Sequence, residues 1–351
     1  MKKNIFFFLS LFTLFFTQFT HFAFAHEVYV LSKSDITRDI VNPSPNPFSD
    51  VAQEPYLFSL SGLLGIVLVF VVLFVSTLKK VEKHFDPFLF SLKKYAAVVA
   101  RITLGVCLAM SAWHGALFGP ELPFANFVNS NYIIFIKVIL YSVGILLTLG
   151  IFVRIATLVA ILLYVFSMLR YGTYMLTYTN YLGEMLLSLI LGAGPYSLDV
   201  LFFAKRKKLS RFVYNFTTFA EKYSFLVLRI LFGLAVFYAS FYAKFLHSNL
   251  ALDTVMQYNL TNYFKFDPLF VVLGAFIVEA IIGIFFIIGF EVRFTALIFL
   301  TFLALSLSYF GEAVWPHMIL IGINIVILLH GYDEFTIENK LFGRKKLEPV
   351  L

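Results

Sequence analysis

The chain has 351 residues, 60% of them hydrophobic and 13% charged, where an ordinary soluble domain carries about 25% charged residues. That balance excludes a soluble globular domain and predicts an all-α, polytopic helical membrane protein in a lipid bilayer. The formal charge of +7 does not make nucleic acid a partner, because Lys and Arg cluster in short loops as the positive-inside rule requires. The single cysteine, Cys107, excludes an internal disulfide and dithiol exchange within the chain.

Residues 1–25 read as a signal peptide: Lys2 and Lys3 precede a Phe/Leu-rich core, and Ala23-Phe24-Ala25 is an A-x-A cleavage site. The core is long enough for an uncleaved anchor as the alternative. After cleavage His26 becomes the N-terminus, and one histidine there is a weak basis for a copper site. Residues 26–55 form an external N-terminal arm, polar throughout, with a HEVYVLS stretch suited to a short strand. Pro43, Pro45 and Pro47 are spaced as in an extended linker. Residues 56–78 are an uncharged transmembrane helix, and 79–94 a cytoplasmic basic segment whose amphipathic HFDPFLF stretch suits the inner surface.

Two runs of four spans follow. In module one, 95–208, the spans are 95–118, 132–153, 154–171 and 181–198; in module two, 222–347, they are 223–247, 268–290, 293–309 and 315–329. Basic clusters at 79–94, 205–211 and 340–346 all fall on one side, which gives about nine mature spans with the arm outside and the C-terminus cytoplasmic. The two modules align. Lys94, Arg101 and Gly105 match Lys222, Arg229 and Gly233 at an offset of 128; Gly150, Arg154, Gly192, Ser197 and Asp199 match Gly289, Arg293, Gly331, Thr336 and Glu338 at an offset of 139. Both copies start and end inside, so they are parallel repeats about an axis along the membrane normal.

Charges inside the spans are costly and mark candidate sites. Glu279 lies midway along an otherwise uncharged run, and Lys244 near the outer end of the preceding span. Side chains lean toward a helix's N-terminus, so these two converge on an ion pair. Such a pair either locks two helices or handles a proton and polarises a ligand. Arg101 and Arg229 read as side chains snorkelling to the inner surface, and Arg154 and Arg293 as helix-end anchors. Arg229, Arg293, His247, Glu312 and His317 complete the candidate ligand-binding set around Glu279 and Lys244. His114 and Glu184 are the outer candidates in module one. These dispersed histidines and glutamates lack metal-ligand spacing, and Trp113 and Trp315 read as interfacial belts.

Arg229, Gly233, Lys244, Glu279, Gly289 and Arg293, with a closing Gly331…Thr336-Ile-Glu338, resemble the DoxX/DoxD family of small four-helix membrane proteins. Module one keeps Arg101, Gly105, Gly150, Arg154 and the closing Gly192…Ser197-Leu-Asp199, but has Ala116 in place of Lys244 and nothing acidic opposite Glu279. The resemblance implies a four-helix bundle in a bacterial inner membrane, in some members as a subunit of a quinone-linked or thiol-linked redox complex. It makes quinone the candidate cofactor and a protein on the external side the candidate partner, with Lys244 and Glu279 in the catalytic role. Any enzyme role is then that of an oxidoreductase subunit without redox cysteines of its own. Two other readings stand beside it: a non-enzymatic membrane adaptor that holds a secreted partner, and a small-solute transporter, ranked last because no span is visibly interrupted. Module one, having lost the polar set, reads as scaffold.

Overall fold

In lipid, an apolar segment must satisfy its own backbone, so these uncharged runs wind into helices. The computed structural model describes residues 31–49, 51, 54–194, 196–203, 211–311 and 313–342. The signal peptide, residues 26–30 of the arm, the basic loop 204–210 and Glu312 lie outside that set, as do the residues after Phe342. Among the described residues there is no β-strand, and the one bridge joins Ala116 to Pro123.

The helices are α1 (Lys33–Val41), α2 (Glu54–Leu92), α3 (Ala96–Trp113), α4 (Phe124–Phe127), α5 (Ser130–Leu149), α6 (Val153–Tyr171) and α7 (Thr179–Leu191). Then come α8 (Leu198–Phe203), α9 (Arg211–Ser240, continued by a π-helical segment Phe241–Leu246), α10 (Ser248–Gln257), α11 (Pro268–Ile288), α12 (Val292–Phe310), α13 (Met318–His330) and α14 (Ile337–Phe342). Six helical stretches are long and apolar enough to cross a bilayer: His84–Trp113, Ser130–Leu149, Val153–Leu191, Phe219–Leu246, Pro268–Ile288 and Val292–Phe310. Shorter apolar helices run over Pro55–Val67 and Trp315–His330. The chain is a multi-pass, all-helical membrane protein.

Three boundaries differ from the sequence expectation. The first span and the basic segment after it are one helix: α2 runs 39 residues without a break, about 58 Å at the helical rise. Charge alone does not end a helix, so Lys79 and Lys80 do not interrupt it. The arm is partly helical. Ser32 caps α1 by accepting the Asp35 N–H at 3.2 Å, while the proline stretch after it is extended. Lastly, α3 stops at Trp113 rather than near 118, because Gly115 turns the chain with φ 75°.

The core is built on two close helix crossings. A Cβ on Gly105 would lie 2.7 Å from the Gly144 carbonyl where α3 meets α5, and one on Gly233 would lie 2.5 Å from the Gly283 carbonyl where α9 meets α11. Small residues let backbones approach this closely, which is how membrane helices gain packing without a hydrophobic drive. Elsewhere α3 packs on α13 and α9 packs on α7. The first helix of each set therefore rests against the last helix of the other. Local geometry also recurs at the 139 offset: Gly150 and Gly289 have φ 73° and 71°, and Phe152 and Glu291 have φ 48° and 40°.

Candidate functional site

Lys244 comes from the π-helical end of α9 and Glu279 from the middle of α11. Lys244 Nζ lies 2.9 Å from Glu279 Oε2, with the side chains 6% and 12% exposed. The ion pair expected from the lean of the two side chains is therefore formed. The reason Lys244 reaches it was not legible in the sequence. One extra residue per turn in Phe241–Leu246 rotates this part of α9, and such π segments concentrate at functional sites. In module one, α3 ends at Trp113, the position that aligns with Phe241, so the π segment has no counterpart there.

The arm closes over this end of α9. Asn249 Nδ2 donates to the Pro43 carbonyl at 3.2 Å, and Ser248 Oγ donates to the Pro45 carbonyl at 2.5 Å. Phe48 packs edge-on against Phe245, with 6.1 Å between ring centroids. Arg38 pairs with Asp39 at 3.0 Å and also with Asp253 on α10. Burial, then the neighbouring Asp39, pushes the Asp253 carboxyl above its usual range, with Arg38 opposing. His247, three residues past Lys244, lies against Tyr242 with 4.6 Å between ring centroids, and burial pushes its imidazole below the usual range.

Among the described residues, the rest of the expected set does not gather there. Arg229 is fully buried about 22 Å away along α9, fifteen residues from Lys244 at the helical rise. It donates to the Phe286 carbonyl at 2.9 Å and the Phe335 carbonyl at 3.3 Å. Arg101 is equally buried, with its guanidinium 3.4 Å from the Tyr196 carbonyl. Neither snorkels: Arg229 caps the end of α11, where carbonyls have no intrahelical donor and its guanidinium satisfies several at once, while Arg101 meets the Tyr196 carbonyl. Arg293 belongs to the same end, donating to the Leu328 carbonyl at 2.9 Å and pairing with Asp86 of α2. Arg154 does likewise toward the Leu189 and Ile190 carbonyls, at 3.1 and 3.2 Å. Arg154 and Arg293 are thus the helix-end anchors expected. His317 is buried where α13 begins, with Nδ1 3.0 Å from the Ala313 carbonyl. Trp315, expected in an interfacial belt, stacks on His114 at 5.1 Å.

Sequence reasoning missed the tyrosines. The Tyr174 hydroxyl donates to Glu121 at 3.2 Å and the Tyr178 hydroxyl donates to the same carboxylate; Tyr174 also meets Tyr242 edge-on at 5.0 Å. A polar network thus runs from the loop after α3 to the residue two before Lys244. Its only trace in the sequence is the 3–4 residue spacing of Tyr174, Tyr178 and Tyr181, which suits packing equally well. Chemically, the Lys244–Glu279 pair offers an ammonium that can donate to an acceptor oxygen and a carboxylate that can take or return a proton. Comparison of the chain with protein-family models, curated proteins and solved structures finds no match.

Proposed function

We propose that this chain is a DoxX-like protein of a bacterial inner membrane and the membrane subunit of a quinone- or thiol-linked redox complex. In this reading two parallel four-helix modules follow one extra span, about nine spans in all. The arm lies on the periplasmic side and the basic clusters are cytoplasmic. Lys244 donates to the carbonyl oxygen of a quinone or small oxidised substrate, and Glu279 carries the proton. Electrons come from a partner subunit, since the chain has one cysteine. The observation that carries the reading is the ion pair itself. Buried charge in a membrane helix is expensive, and here Lys244 sits on a locally rewound helix while Glu279 keeps 12% of its side chain exposed.

The test is extraction of small molecules from the protein purified in mild detergent, as wild type and as Glu279→Gln. A quinone bound to wild type and missing from a folded Glu279→Gln supports the reading. Wild type that carries no small molecule overturns it. One observation favours the adaptor as a second reading: the arm is seated on α10 by Arg38, Pro43 and Pro45, which presents a formed surface to a secreted partner. Capture of a stoichiometric secreted protein that persists in Glu279→Gln and is lost when residues 31–49 are deleted selects that reading.

A further inference from the structure

Module one is more than scaffold. Glu184, on α7, is fully buried and its Oε2 has no hydrogen-bond partner. Its Oε1 accepts from Thr103 Oγ1 of α3 at 3.2 Å. No ion pair joins it to a Lys, Arg or His among the described residues. The titratable groups within its electrostatic reach are Cys107 on α3 and Tyr181 on α7.

The two helices run antiparallel, as the Thr103–Glu184 and Cys107–Tyr181 contacts show. Thr103, Cys107 and Ser111 recur every four residues on α3; Asn180, Glu184 and Ser188 do the same on α7. The Thr103–Glu184 contact fixes the register and sets Cys107 opposite Asn180 and Tyr181. The Tyr181 hydroxyl lies against the Cys107 thiol and donates to the Phe118 carbonyl at 2.8 Å. One turn further, Tyr178 donates to Glu121 in the loop after α3. Polar groups therefore lead from that loop inward to a carboxyl with one oxygen unspent.

A buried carboxylate without a cation is far costlier than the neutral acid, which keeps one donor and one acceptor. From this geometry we infer that module one holds an occluded proton-binding site at Glu184, loaded from the Glu121 end along Tyr178 and Tyr181. The inference is independent of the quinone reading, since it concerns a different module and a proton rather than a bound molecule.

Infrared difference spectroscopy of the full chain in detergent tests it. Wild type minus Glu184→Gln should show the carbonyl stretch of a protonated carboxyl, and Glu279 cancels in the difference. Transfer to deuterated buffer should shift that band, and Tyr181→Phe should slow the shift several-fold. Absence of the band overturns the proposal, and so does a band that never shifts, since that proton would be fixed. Should Glu184→Gln fail to fold, Thr103→Val supplies the assignment with the carboxyl intact. Loss of the Thr103 hydrogen bond moves a Glu184 band, and a band that stays put overturns the inference.

Discussion

Gly289 closes α11 with φ 71°, and a Cβ there would lie 1.9 Å from Arg229 Nη1. An alanine at this position both strains the backbone and displaces the guanidinium that caps α11. Gly289→Ala should destabilise the protein by about 2–4 kcal/mol. Gly274→Ala, on the same helix with open space around it, should be neutral or slightly stabilising. Thermal melting in detergent separates the two, and equal midpoints would refute the capping role. The Lys244–Glu279 pair makes a different prediction. Glu279→Gln leaves a buried ammonium and should cost about 3–5 kcal/mol, whereas Lys244→Met with Glu279→Leu should recover most of the loss. The same double variant decides between lock and site. A pair that only locks helices leaves ligand capture intact in the recovered protein; a working pair leaves it stable and empty. At this scale the sequence was legible where one helix's geometry decides the outcome. That Lys244 and Glu279 point toward each other follows from side-chain lean, although the π turn that completes the reach of Lys244 does not. The burial of Arg101 and Arg229 does not, because it depends on which neighbouring helix end arrives with unsatisfied carbonyls.

Among the elements, α1 is held less by its ion pairs than by contacts of the chain that follows it. Arg38 and Asp253 are 51% and 40% exposed, so water and salt screen their pairing and it contributes little. The pH dependence of α1 docking is nonetheless directional, and it runs against that ion pair. Burial and Asp39 raise the Asp253 carboxyl above its usual value of 3.8 when α1 is docked. The docked form therefore binds the proton more tightly. This contribution is complete below the usual value and is lost as pH rises through the raised one. Spin labels at Ser34 and Gln257 should report a docked population that declines over that window, with the decline flattened in Asp253→Asn. The same decline in both proteins would place the titration elsewhere. Element identities were largely legible, because spans of uniform apolarity admit only helix. Their ends were less so. No charge pattern announces that α2 runs through its lysines, and nothing in FYAKFL distinguishes a π turn from an α turn, since one residue of slack is decided by the contact Lys244 makes.

For the whole molecule, the repeat written in the sequence has a physical consequence in the packing. Gly105 and Gly144 cross in one set of helices and Gly233 and Gly283 in the other, at positions related by the offsets of 128 and 139. The α3–α13 and α9–α7 contacts then exchange roles between the sets. Two parallel copies each with an even number of spans return the chain to the side where they began. In the proposed nine-span arrangement, one extra span in α2 leaves the arm and the C-terminal end on opposite faces. Cys107 is the only cysteine and is fully buried, so Cys107→Ser gives a background without reactive thiols. In it, a cysteine at Ser34 marks the arm, and one at Glu334, which pairs with Lys222 at 2.8 Å while 46% exposed, marks the other end. A membrane-impermeant maleimide added to sealed cells should label position 34 and reach position 334 only after permeabilisation. If both positions label from outside, the number of crossings is even. The nine-span arrangement then fails, because either α2 does not cross the membrane or one module enters inverted.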